Sequence, residues 1–147
     1  MIAANGHYHF PAELYYDRAT HLWVRSAGAA ATIGLDALGL ESLGDMAYVT
    51  LPAIGTSVQR GAAAGSLEAA KMVGDLMAPI SGTIVARNED VLRDPGLINR
   101  EPYGAGWLLQ IIPSNWAGDS AELIHGAALT AWVEAEIERY RTQGWIA

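Results

Sequence analysis

Cysteine is absent from the 147 residues, which removes disulfides, thiolate metal sites and cysteine nucleophiles from consideration. Lysine is nearly absent: of the nine basic residues eight are arginine and one, Lys71, is lysine. No stretch approaches the roughly 20 consecutive apolar residues of a membrane-spanning helix, so no membrane partner is expected. Met1 to Phe10 shows no basic flank followed by an apolar block; no secretory signal is expected, and the cytoplasm is the expected compartment. Positive charge is scarce overall, with sixteen acidic residues giving a net charge of -7. That balance argues against a nucleic acid or an anionic membrane as partner, because both require a basic patch.

What is present is a chain of 51% hydrophobic and 17% charged residues, the composition of one compact domain with a sizeable core. Turn residues recur about every ten positions, at Ala27-Gly28, Pro52 to Gly55, Arg60-Gly61, Gly74-Asp75, Ser81-Gly82, Asp94-Pro95-Gly96 and Pro102-Tyr103-Gly104. Between them lie short runs of strand character: His21 to Arg25, Ala30 to Ile33, Met46 to Leu51, Ile80 to Arg87 and Trp107 to Ile112. Such spacing predicts an all-β sandwich or barrel. In Ile80 to Arg87, Ile80, Ile84 and Ala86 share one face and Ser81, Thr83 and Arg87 the other, the alternation of a half-buried strand. Met46 to Leu51 and Trp107 to Ile112 are apolar on both sides, and their faces stay unassigned.

Two segments have helical spacing. Gly34 to Gly44 places Leu35, Leu38 and Leu43 inward and ends on Gly44. Near the C-terminus, Leu129, Trp132, Val133, Ile137 and Tyr140 form an apolar stripe, with Glu134, Glu138, Arg139 and Arg141 on the wet side and Gly144 as the stop. That helix is expected to pack on the β body. No repeat, low-complexity tract or linker interrupts the chain, so a single domain over residues 1–147 is expected.

Self-contained catalytic chemistry is hard to assemble from these residues. There is no G-x-S-x-G elbow, Walker loop or G-x-G-x-x-G, and Gly104-Ala105-Gly106 leads into a strand-like segment. His7 and His9, with His21 nearby in sequence, give one metal-hydrolase alternative, but no clear third ligand accompanies them. The carboxylates are scattered, without an evident acid–base pair.

Attention therefore falls on Lys71. Lysine is ordinarily among the commonest residues. Its scarcity fits arginine-favouring codon usage, with which the many alanines agree, or a lysine that carries something. Gly65 to Gly82 reads as strand, tight turn, strand with Lys71 near the tip, where its amine would stand in water. A solvated loop lysine is the ordinary outcome there; amide formation would instead remove a charge and leave a long mobile arm on a rigid scaffold.

Glu68-x-x-Lys71 followed by Pro79-x-Ser81-Gly82, with the lysine eight residues before the proline, resembles the swinging-arm hairpin of lipoyl and biotinyl carriers. His21-x-Trp23, Ala31-Thr32-Ile33-Gly34, Leu43-Gly44-Asp45, Leu51-Pro52-x-x-Gly55 and Asn88 resemble, in type and order, the glycine cleavage system H protein family. So does Pro95-Gly96-Leu97-Ile98-Asn99-x-x-Pro102-Tyr103-x-x-Gly106-Trp107. The resemblance covers about residues 10–113, leaving a C-terminal helical extension of about 114–147. Glu68-Ala69-Ala70-Lys71-Met72 is also one residue from the Glu-Ala-Met-Lys-Met of biotin carriers, which are shorter and lack the Pro102 to Trp107 segment.

The resemblance implies an all-β-dominated hammerhead β-sandwich (a barrel-sandwich hybrid) with a short internal helix and a C-terminal helix. It implies lipoate in amide linkage on Lys71, with Glu68 as the hairpin's motif residue, and no bond-making residue or metal of the protein's own. It implies a cytoplasmic monomer that carries the aminomethyl group of glycine cleavage. Its partners would be a lipoate ligase or lipoyl transferase, a PLP-dependent glycine decarboxylase, an aminomethyltransferase and dihydrolipoyl dehydrogenase. The hairpin reads Glu-Ala-Ala-Lys-Met where typical H proteins have Glu-Ser-Val-Lys-Ala. The tail from Pro113 is closer to H-protein-like lipoate-binding proteins of bacterial sulfur oxidation, which serve a heterodisulfide-reductase-like complex. That pathway, a biotinyl carrier and an unmodified adaptor are the alternatives. Lys71 is expected to be highly exposed, Trp23, Ile33, Val49, Ile84 and Leu109 buried, and Gly82 and Gly106 placed where a side chain would clash.

Overall fold

The computed structural model describes residues 8–147. Short β-rich runs separated by turn residues leave each strand one apolar face to bury, and two sheets do so against each other. In chain order the elements are β1 (Tyr15–Tyr16), β2 (Leu22–Ala27), β3 (Ala30–Leu35), α1 (Ala37–Leu43), β4 (Met46–Thr50), β5 (Ser57–Val58), β6 (Ala63–Ala69), β7 (Val73–Met77) and β8 (Gly82–Arg87). There follow α2 (Glu89–Arg93), α3 (Gly96–Arg100), β9 (Leu109–Pro113), α4 (Trp116–Ser120), a 3-10 turn (Gly126–Ala128) and α5 (Leu129–Thr142). A six-stranded sheet has the order β1-β2-β3-β9-β8-β5, and a three-stranded sheet the order β4-β6-β7. Every paired neighbour is antiparallel. The expected all-β sandwich with a short internal helix and a C-terminal helix is the observed architecture.

Strand β2 shows how alternation builds two cores at once. Leu22 and Val24 point into a cluster with Ile33, Val49, Leu67, Leu76, Ile84, Leu109 and Ile111. Trp23, on the opposite face, joins Phe10, Leu14, Tyr16, Leu38, Val133, Ile137 and Tyr140. The second cluster holds twelve buried residues among those described and docks α5 on the sheet. At about 1.5–3 kcal/mol per fully buried large apolar side chain, that seam outweighs any single ion pair across it.

Trp23 pairs with Gly34, where a Cβ would lie 2.5 Å from the indole, and its Nε1 donates to the carbonyl of Pro102 at 3.0 Å. Gly82 and Gly106 are likewise set by crowding: a Cβ would lie 2.1 Å from the Ile112 carbonyl oxygen and 2.6 Å from that of Glu101. All five residues expected in the interior are buried.

Some boundaries differ from the sequence reading. Gly34 and Leu35 end β3, and the helix begins only after Asp36, whose carboxylate accepts from Gly39 N–H at 2.8 Å as its N-cap. Ser81 and Ile80 precede β8 and do not belong to it. Met46 to Leu51 resolves through a bulge between Met46 and Tyr48, which buries Met46 and Val49 and exposes Tyr48. In β9, Leu109 and Ile111 face the core and Ile112 faces water. The five-residue helices α2 and α3 were not foreseen; they are too short to show a period, although Asn88 caps the first.

Candidate functional site

Strands β6 and β7 form a hairpin in the register Glu68↔Val73 and Leu67↔Gly74. Ala69 N–H donates to the Met72 carbonyl at 2.8 Å, so Ala70-Lys71 is the connecting pair. Their two N–H groups, which a free loop would leave to water, donate into the segment after α1. Ala70 reaches the Asp45 carbonyl and Lys71 the Leu43 carbonyl, each at 2.9 Å. That segment is fixed in turn: Asn99 Nδ2 donates to the Gly44 carbonyl at 3.0 Å, and Asn99 Oδ1 accepts from Met46 N–H at 2.9 Å. Gly44 has φ +82°, and a Cβ there would come 3.2 Å from that of Ala70; only glycine meets both conditions easily.

The backbone under Lys71 is thus pinned while its side chain is not. Lys71 is exposed, and its Nζ makes one surface hydrogen bond, 3.2 Å to the Glu41 carbonyl. Among the described residues, neither Lys71 nor Glu68 takes part in an ion pair. Glu41, Asp45, Glu68 and Asp75 are exposed on the elements around the turn, so the amine lies in an acidic neighbourhood. A groove of about 550 Å³ leads from Lys71, Met72 and Asp75 past Leu35 and Leu43 to Tyr140 and Trp145.

A second polar cluster lies behind this one, in the interior. His21 is fully buried and has φ +61°, which is uncommon for any residue but glycine. Its Nδ1 lies 2.7 Å from Asp36 Oδ2, and its Nε2 2.8 Å from Glu136 Oε1 on α5. Arg139 closes the chain with Nε to Glu136 Oε2 at 2.7 Å and Nη2 to Oε1 at 2.8 Å. The imidazole stacks on Trp132 at 5.0 Å and meets Tyr140 edge-on. Burial by itself would lower the His21 pKa, but the charge and hydrogen bond of Asp36, with those of Glu136, raise it to about 9. Burial would likewise raise Glu136; hydrogen bonds from Arg139 and His21 hold it at about 2 instead. At neutral pH the imidazolium donates to both carboxylates.

Of the histidines considered as metal ligands, His7 lies outside the described residues. His21 is excluded by its partners, since both ring nitrogens are committed to carboxylates. His9 is an exposed residue beside Tyr103. Among the described residues, no group of three or more His, Asp or Glu side chains is arranged to hold a metal ion. His21, just before β2, ties that strand to the N-cap of α1 and to α5. Asp36 and Glu136 were both missed in the sequence, although Glu136 falls on the stripe of Val133, Ile137 and Tyr140. Asp36, directly before a helix, carried the ordinary N-cap signal.

The family profile described as glycine cleavage H-protein matches residues 14–136, a span that includes the hairpin and reaches into α5. A glycine cleavage system H protein of Magnetococcus marinus is 39% identical over 124 residues, covering 84% of this chain and 87% of that protein. One from Mycobacterium avium is 41% identical over 130 residues, covering 88% and 93%. The crystal structure of a glycine cleavage system H protein from Mycobacterium marinum superposes with a TM-score of 0.70 at 35% identity, covering 88% of this chain and 99% of that one.

Proposed function

Because this chain belongs to the glycine cleavage H-protein family, the lipoyl carriers of glycine cleavage, we propose that Lys71 is the residue joined to lipoate through an amide bond. One observation carries the assignment: the chain's single lysine is exposed on a turn whose backbone is hydrogen-bonded to the α1–β4 segment, with no ion pair among the described residues to hold its amine. The surroundings suit a long, largely apolar arm. Leu35, Leu43, Leu67 and Leu76 line the groove beside the lysine, with Ser42 and Asp75 among its polar residues. When bound, lipoate supplies a dithiolane that exchanges an aminomethyl group and two electrons with partner enzymes.

The chain's own part is to present and to hold. The hydrogen bonds from Ala70 and Lys71 to the α1–β4 segment keep the attachment point from wandering. Tethering then makes each transfer local, with an effective concentration that a free cofactor would lack. The acidic surface raises encounter rates with several enzymes, and small contacts let each one go. We assign the partners as a lipoate ligase or lipoyl transferase, a pyridoxal-phosphate glycine decarboxylase, an aminomethyltransferase and dihydrolipoyl dehydrogenase. The protein itself acts as a non-catalytic, monomeric carrier of one domain, working in the cytoplasm. Among the described residues no helix is long and apolar enough to cross a membrane. The relatives do not favour the sulfur-oxidation, biotinyl or adaptor alternatives.

Incubation of the purified chain with lipoate, ATP and a lipoate ligase is expected to add the mass of one lipoyl group. Lys71→Arg is expected to abolish the addition without lowering the melting temperature. The same gain of mass in that variant would refute the assignment.

A further inference from the structure

The three-stranded sheet buries one face in the core and turns the other to solvent, and the solvent face next to Lys71 carries large apolar groups. Tyr48 on β4 pairs directly with Glu68 on β6, and Glu68 pairs directly with Val73 on β7. Direct antiparallel partners project to the same side, so the three side chains form one row across the sheet. Tyr48 is 66% exposed and Val73 71%, while Val49 and Leu67 beside them point inward and are buried. The following row, Thr50, Ser66 and Asp75, is polar, with Thr50 Oγ1 and Ser66 Oγ 2.6 Å apart. Single exposed apolar residues need no explanation; two flanking a carboxylate, one step from the turn that bears the lysine, do.

We propose that this row is the docking surface for the enzyme that acylates Lys71, with Tyr48 and Val73 as apolar anchors and Glu68 between them receiving a basic side chain. The inference rests on Lys71 as the attachment site. Reach selects the occupant. The amine of an unmodified lysine stands only about 6 Å from its own Cα by ordinary bond lengths, so the acylating site must press against the turn and its first sheet row. Enzymes acting later meet the far end of a longer arm and need no such approach. Charge selects the occupant's chemistry: Glu41, Asp45, Glu68 and Asp75 are all exposed on the elements around the turn, so the facing surface is basic, with one basic group set between the two apolar contacts. Tyrosine is among the residue types that most often anchor such a contact, and Val73, across Glu68 from it, extends the apolar surface.

The test compares kcat/KM for lipoylation of the apo chain by a lipoate ligase with ATP and lipoate, read as the mass gain over time. Tyr48→Thr, Val73→Thr and the double variant remove the anchors and keep strand propensity. Ile54→Thr is the control, at a residue 63% exposed beyond the far end of β4 from the lysine. Labelling of Lys71 by a small amine-reactive ester reports whether the lysine itself has changed. The expected result is a loss of about tenfold or more in the double variant, a smaller loss in Val73→Thr, under twofold in Ile54→Thr, and unchanged ester labelling throughout. Should the double variant fail to fold, Val73→Thr alone decides the matter. Lipoylation of the anchor variants within twofold of wild type overturns the docking surface, as does a loss matched by equally slowed ester labelling. A wild-type chain that the ligase leaves unmodified would overturn the assignment of Lys71 itself.

Discussion

Two polar centres a short distance apart in the chain's fold treat their charges in opposite ways. Around Lys71 the backbone is committed, with Ala70 and Lys71 N–H groups bonded to Asp45 and Leu43, while the side chain ends in water with a single surface contact. Around His21 the side chain is committed as well, held between Asp36 and Glu136 and covered by Trp132. The first arrangement separates a rigid anchor from a free arm. The second uses buried charge to tie α5 to β2 and α1. They meet in α1: Gly39 passes so close to His21 that a Cβ would lie 2.9 Å from the imidazole's own Cβ, and four residues on, Leu43 receives the N–H of Lys71. The interior centre holds still the platform on which the exposed amine is presented.

The sharpest way to break the comparison is to remove the buried cation. His21→Leu leaves the Asp36 and Glu136 carboxylates without their common donor, and breaking a buried pair in this way costs about 3–5 kcal/mol. The expected fall in melting temperature is on the order of 10 °C at this chain length, measured by calorimetry, whereas Lys71→Arg should leave it unmoved. If both substitutions prove equally mild, the interior centre is not the structural one.

A pH series tests the same contrast more gently. His21 is raised to about 9 and Glu136 lowered to about 2 in the folded chain. The stabilisation from His21 is complete below its unfolded pKa of about 6.5 and is lost as the pH climbs through about 9. That from Glu136 is complete above its unfolded value of about 4.3 and is lost as the pH falls towards 2. Urea midpoints should therefore form a plateau between about pH 4.3 and 6.5 and decline on either side. His21→Gln should flatten the alkaline limb; an unchanged limb would show that another group produces it.

The smallest effect is expected at the anchor of the turn. Gly44→Ala forces a side chain into a φ of +82° against Ala70, at a cost of about 1–2 kcal/mol. A modest drop in melting temperature should accompany slower lipoylation, because the platform under Lys71 loosens. A variant that loses neither would mean that the turn does not need its support.

The exposed centre was far more legible in the sequence than the buried one. A lone lysine between two strand-like runs, eight residues before Pro79, is a local pattern, and local patterns survive in one dimension. The inward Ile84 and the stripe of Leu129, Val133, Ile137 and Tyr140 were readable for the same reason. His21, Asp36 and Glu136 were not: the last two lie 100 residues apart, and a glutamate among apolar neighbours gives no hint of the cation it will meet. Tyr48 and Val73 were not legible either, because a bulge after Met46 turns one outward and sheet register sets the other across Glu68 from it.

Periodicity, turn chemistry and the position of a single amine are properties of neighbouring residues, so the chain alone determined the β-rich body, the terminal helix and the lysine at a hairpin tip. Which carboxylates neutralise the buried histidine, and which backbone carbonyls hold the tip still, depended on segments distant in sequence being folded into contact. Only the tertiary structure decided those, because the energy of a buried charge depends on the partners packed around it and not on the residues beside it in the chain.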